Sequence, residues 1–116
     1  MIGNNNQSLH LLGSSHQVAD LSAREQISLP PESIDEFYQG LGQIKGLNEY
    51  ILLNTCNRTE IYGATERSFS FDSLRQYLSN FRKIEPEFLN QHSYHRSNRE
   101  VVNHLFKVTS GIDSQM

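Results

Sequence analysis

Residues 50–53, Tyr-Ile-Leu-Leu, form a short apolar run that stops abruptly at Asn54-Thr55-Cys56-Asn57-Arg58. A run of that length, bounded by turn-forming residues, reads as a buried strand. The spacing predicts strands over 49–54 and 59–66, joined by a few polar residues at the end of a sheet. Cys56, the single cysteine of the chain, lies in that connection. A thiol at the end of a buried strand is held rigidly and still meets solvent.

The remaining pattern extends this sheet. Residues 8–13 read as a first strand, and Ser22-Ala23-Arg24-Glu25 has the spacing of a capping box that opens a short helical turn. Pro30-Pro31 marks a helix start with Glu32, Asp35 and Glu36 in the first turn, where the helix dipole favours acids. Ile34, Phe37, Tyr38, Leu41 and Ile44 share one face of that helix. Gly40 and Gly42 weaken it, and Gly46 ends it. A second helix runs from about Ser70, with Phe71, Leu74, Tyr77, Leu78 and Phe81 on one side. Pro86 interrupts it, and residues 91–96 read as a fourth strand.

The order strand, helix, strand, strand, helix, strand predicts an α+β fold: a ferredoxin-like βαββαβ sandwich with an antiparallel sheet, over residues 1–96. Ser97-Asn98-Arg99-Glu100 is a second capping-box pattern and opens a third helix, with Val101, Leu105, Val108 and Ile112 as its apolar stripe. Residues 97–116 thus read as a helical continuation, truncated at Met116.

Composition bounds the function. A chain of 116 residues suits one domain with a real core. Hydrophobic residues at 36% and charged residues at 20% fit neither a disordered nor a membrane protein, and no apolar run suffices to span a bilayer. The N-terminal residues 1–7 lack the basic and apolar regions of a secretory signal. One cysteine rules out an internal disulfide and suits a reducing cytoplasm. The net charge of −3 gives no global basic field for nucleic acid. The five histidines and the cysteine show no metal-ligand spacing, so no metal site is expected.

Cys56 has two uses open to it. Free cysteine is often a small, inert core residue. Here Thr55, Asn57 and Arg58 surround it with hydrogen-bond donors, and a fixed positive charge favours thiolate and binds carboxylates. Arg58 has its own alternative as an ion-pair partner of Glu60 or Glu66. His104 borders the apolar stripe of the third helix, where a structural role is common.

Three ordered blocks carry a resemblance. Residues 53–62, Leu-Asn-Thr-Cys-Asn-Arg-Thr-Glu-Ile-Tyr, resemble the signature around the catalytic cysteine of glutamyl-tRNA reductases. Gly13-Ser14-Ser15-His16-Gln17-Val18-Ala19 with Arg24-Glu25 resembles that family's N-terminal pattern. Residues 104–114, from His104 through Gly111 and Asp113 to Ser114, resemble its His-Leu-Phe block. The resemblance spans nearly the whole chain but only the N-terminal part of the family's protein.

The resemblance implies a reaction and the residues that carry it. Cys56 attacks the ester of glutamyl-tRNA, a thioester forms, and NADPH delivers hydride to release glutamate-1-semialdehyde, the first step of five-carbon tetrapyrrole synthesis. By the same resemblance Arg58 holds the substrate carboxylate, and Thr55 and Asn57 bind the amino acid or steady the loop. His104 is a general acid, a general base or an orienter, pointing across the sheet end towards Cys56. His16 and Ser114 line the substrate pocket, while Arg24 and Glu25 form a structural pair. NADPH binding and dimerisation belong to domains absent from this chain, and the resemblance also implies the downstream glutamate-1-semialdehyde aminotransferase as a partner.

The sequence lacks the glycine-rich nucleotide loop and the stretch that succeeds the family's Asp-Ser pair. The chain alone is therefore expected to carry the nucleophile and substrate pocket and to reduce nothing. The rival expectation is a non-catalytic ferredoxin-like module that binds a small ligand or RNA, in which Cys56→Ala leaves function intact. A purely structural domain would instead shield Cys56 from alkylation.

Overall fold

The computed structural model describes residues 7–109. Strand β1 (Gln7–Ser15) leads through helix α1 (Leu21–Ile27), a single 3-10 turn (Pro31–Ser33) and helix α2 (Ile34–Leu41) to the hairpin of β2 (Leu47–Asn54) and β3 (Arg58–Glu66). Helices α3 (Phe71–Arg82) and α4 (Pro86–Gln91), strand β4 (Tyr94–Ser97) and helix α5 (Arg99–Thr109) complete the order. The sheet order is β2-β3-β1-β4, and each neighbouring pair is antiparallel. The fold is α+β, as expected.

Strand alternation assigns the two faces. Leu12 lies opposite Ile61 in the β1–β3 register, and both side chains join a core with Ile27, Phe37, Leu41, Leu74, Leu78 and Leu89 from α1 to α4. Phe37 is completely buried and meets Phe81 edge-on at 5.0 Å. The Tyr77 side chain of α3 lies against the backbone of α2 there: a Cβ on Gly40 would stand 1.9 Å from the Tyr77 hydroxyl, which donates to the Phe37 carbonyl at 2.8 Å. Helix α5 crosses the opposite face, where it meets β1 and β4.

Local endings depart from the expected ones. Asp20, not Ser22, caps α1, accepting from the Ala23 amide at 2.9 Å. Helix α2 stops at Leu41 with Gly42 as its cap, so Ile44 and Gly46 lie beyond it. Gly46 has φ +86° and turns the chain into β2. Pro86 does not merely interrupt a helix; it is the first residue of α4, where its missing N–H costs nothing. Ser97 remains in β4, and Asn98 (φ 52°) makes the turn into α5. Asn98 clips β1 with two bonds, its Oδ1 accepting from the Leu9 amide at 3.0 Å and its own amide donating to the Leu9 carbonyl at 2.9 Å.

Candidate active site

The β2–β3 hairpin holds its turn through one hydroxyl. Thr55 Oγ1 accepts from the amides of Asn57 and Arg58, both at 3.2 Å, and the Thr55 amide donates to the Arg58 carbonyl at 2.8 Å. A threonine bonding to backbone just ahead of it is a standard turn device. Thr55 therefore steadies the loop. The Asn57 carbonyl accepts from the His16 amide at 3.2 Å, which ties the hairpin to the end of β1. Asn54 binds the Leu29 carbonyl and amide at 2.9 and 3.2 Å, fixing the segment before α2 to the same end.

This end of the sheet presents Cys56. Its thiol is free and exposed, and it lines a cavity of ≈ 220 Å³ with Ser14, Arg24, Arg58 and Thr59. A buried cysteine is thereby excluded. Arg24 enters the cavity from α1 and forms no pair with Glu25 among the described residues; its Nη1 donates to the Ala19 carbonyl at 2.9 Å.

Behind the cavity stands Glu60, which is completely buried. Arg58, 3% exposed, donates to its Oε2 at 3.1 Å. Tyr94 Oη donates to the same oxygen at 2.5 Å, and Tyr62 Oη donates to Oε1 at 2.6 Å. Helix α5 brings His104 Nε2 to 2.5 Å from Oε2. That oxygen already accepts from Arg58 and Tyr94, so Nε2 is the His104 nitrogen that donates to it. Burial, and then the Glu60 carboxylate, raises both tyrosine hydroxyls well above the usual phenol range. Gly13 lies opposite Glu60 in the register, and a Cβ there would come within 2.7 Å of Tyr94 and 2.9 Å of Glu60. The carboxylate network needs a glycine at that position.

The expected site residues are brought only partly together. Cys56, Thr55 and Arg58 share the first cavity. His104 lines a second one of ≈ 280 Å³ with Gln17, Val18 and Tyr94. A chain of contacts, Arg58–Glu60–His104, runs between residues of the two cavities. Both His16 ring nitrogens are buried without a hydrogen-bond partner among the described residues. Ser114 falls outside those residues. Glu60, Tyr94 and Arg24 are not legible as site residues in the sequence. Arg58, Glu60 and Tyr62 at alternate positions of a strand share a face, and that is the available signal for Glu60.

No group of three or more His, Cys, Asp or Glu side chains among the described residues could hold a metal ion. Among the described residues the sheet is antiparallel, and no glycine-rich turn of the dinucleotide-binding type carries a strand onto a helix N-terminus. No described helix is long and apolar enough to cross a membrane.

Residues 12–116 match the family model for the glutamyl-tRNAGlu reductase N-terminal domain. The chain belongs to this family. Glutamyl-tRNA reductase from Idiomarina loihiensis is 37% identical over 103 residues, which is 89% of this chain and 24% of that protein. The Prochlorococcus marinus glutamyl-tRNA reductase is 34% identical over 105 residues, covering 90% of this chain and 24% of that protein. The chain therefore spans about a quarter of the length of the reductases it matches. The fold is similar to that of glutamyl-tRNA reductase from Methanopyrus kandleri, with a TM-score of 0.63 and 23% identity over 90% of this chain and 23% of that one.

Proposed function

We propose that this chain is the thioester-forming part of a glutamyl-tRNA reductase that serves tetrapyrrole synthesis. One observation carries the reading: the single cysteine stands exposed on a rigid turn, in a cavity it shares with an arginine. The Cys56 thiolate attacks the ester carbonyl of glutamyl-tRNA, the C–S bond forms, and the C–O bond to the terminal ribose breaks. The ribose oxygen leaves with a proton. The thioester is more open to hydride than the ester was. Hydride from NADPH, giving glutamate-1-semialdehyde, is assigned to a part of the enzyme other than these residues.

Arg58 faces the substrate carboxylate from the cavity wall, and Glu60 fixes its plane from behind. Asn57, His16 and Ser114 are assigned to substrate contact. His104, held by Glu60, orients substrate from the neighbouring cavity. The antiparallel order β2-β3-β1-β4, with helices between β1 and β2 and between β3 and β4, supports the ferredoxin-like form of the fold.

The test mixes the chain with glutamate-charged tRNA and no NADPH, quenches in acid and weighs the protein. A glutamyl mass on Cys56, absent in Cys56→Ser, is expected. Bound tRNA with no adduct would sink the nucleophile assignment and favour a binding module.

A further inference from the structure

The two arginines of the Cys56 cavity are in opposite circumstances. Arg58 is buried, and its guanidinium is matched by the Glu60 carboxylate. That charge is largely answered before any ligand arrives. Arg24 has one nitrogen on the Ala19 carbonyl, while its Nε is buried with no acceptor among the described residues. That nitrogen is closed to solvent, so an acceptor reaches Arg24 through the part of the residue that lines the cavity. The acid beside it on the cavity wall, Glu25, is exposed and forms no ion pair with it among the described residues.

We propose that Arg24 is the oxyanion-recognising residue of the Cys56 cavity, pairing with a phosphate or carboxylate on the molecule whose ester the thiol attacks. A guanidinium offers a planar fork to either anion, and Ser28 lines the same cavity. The inference rests on the reading of this cavity as the substrate site. It adds a second cationic contact, distinct from Arg58, and assigns it to substrate capture.

Paired alkylation rates test it on the chain as it stands. Iodoacetate and iodoacetamide attack the same thiol and differ in charge. Their rate ratio at Cys56, normalised to the urea-unfolded chain, reports the local field. Folded wild type should favour iodoacetate. Arg24→Gln should lower the ratio about threefold to tenfold, as loss of one charge from the wall of the same cavity implies, and Arg24→Lys should keep most of it. High salt should shrink the difference. A mere loosening of the structure would change both rates together. An unchanged ratio in Arg24→Gln overturns the proposal. Should that variant fail to fold, a wild-type ratio no higher than in the unfolded chain overturns it as well.

Inorganic phosphate and glutarate then distinguish the two anions. The one that slows iodoacetamide in wild type, but not in the Arg24 variant, names the class; protection by neither counts against the site. None of these steps uses tRNA or NADPH. A missing glutamyl adduct and a missing charge preference are therefore separate failures.

Discussion

The two faces of the sheet are built on different principles. Under α1 to α4, Leu12 and Ile61 meet Phe37, Leu41 and Leu74 in a closed apolar layer. Under α5, a buried carboxylate gathers Arg58, Tyr62, Tyr94 and His104, and beside it lies an open apolar groove of ≈ 510 Å³ between Ile51, Leu53, Tyr62, Val101 and Leu105. The first face gains its stability from area removed from water. The second spends stability on holding charge in fixed positions, because desolvating ions costs more than it returns unless every donor and acceptor is matched. A fold of this size can support that only when its other face is well packed.

The contrast is broken most severely at Phe37. Phe37→Ala should cost about 3–5 kcal/mol in urea unfolding, whereas Phe106→Ala, at a position 72% exposed on α5, should stay within about 0.5 kcal/mol. Equal losses would mean that α5 packs more tightly than its exposure indicates. Next comes Glu60. Glu60→Ala removes the shared acceptor of Arg58, Tyr62, Tyr94 and His104 and should cost about 3 kcal/mol, while Arg58→Met with Glu60→Leu should recover most of that loss. A double variant as weak as the single one would show that the tyrosines and His104, more than Arg58, depend on Glu60.

The smallest effect is in the pH dependence, where each face supplies one limb. On the covered side, burial lowers the pKa of His10 and of His95, which lie 3.1 Å apart against Phe71. Their folded forms stay neutral where the unfolded chain takes up protons. Their contribution is complete above the ordinary histidine value of about 6.5 and is lost as pH falls below it. On the other side Tyr62 and Tyr94 have raised values. Their contribution is complete below the ordinary tyrosine value of about 10 and is lost as pH rises past it. Urea titrations from acid to alkali should show both limbs. His95→Phe should flatten only the acid limb, and Tyr62→Phe only the alkaline one.

The covered face is legible in the sequence, and the other face much less so. Phe37, Leu41, Leu74 and Leu78 announce themselves because helical periodicity is a local signal. The hairpin around Cys56 is equally plain, since turn chemistry acts over a few residues. The carboxylate network joins a hairpin to an edge strand and a helix far along the chain, and no periodicity reports which distant partners a charged strand residue will meet. Arg24 is hidden by a capping pattern that Asp20 supersedes. The start of α4 at Pro86 is hidden because proline signals both the end and the beginning of helices.

The Glu60 network also bears on how the protein comes off the ribosome. Its donors Tyr94 and His104 lie 34 and 44 residues downstream of the carboxylate. While those residues are still inside the exit tunnel, the hairpin can form and its charged face must stay wet. Helix α5 closes that face only after β4 has emerged, so the nascent chain carries the turn with Cys56 well before it can bury the carboxylate behind it.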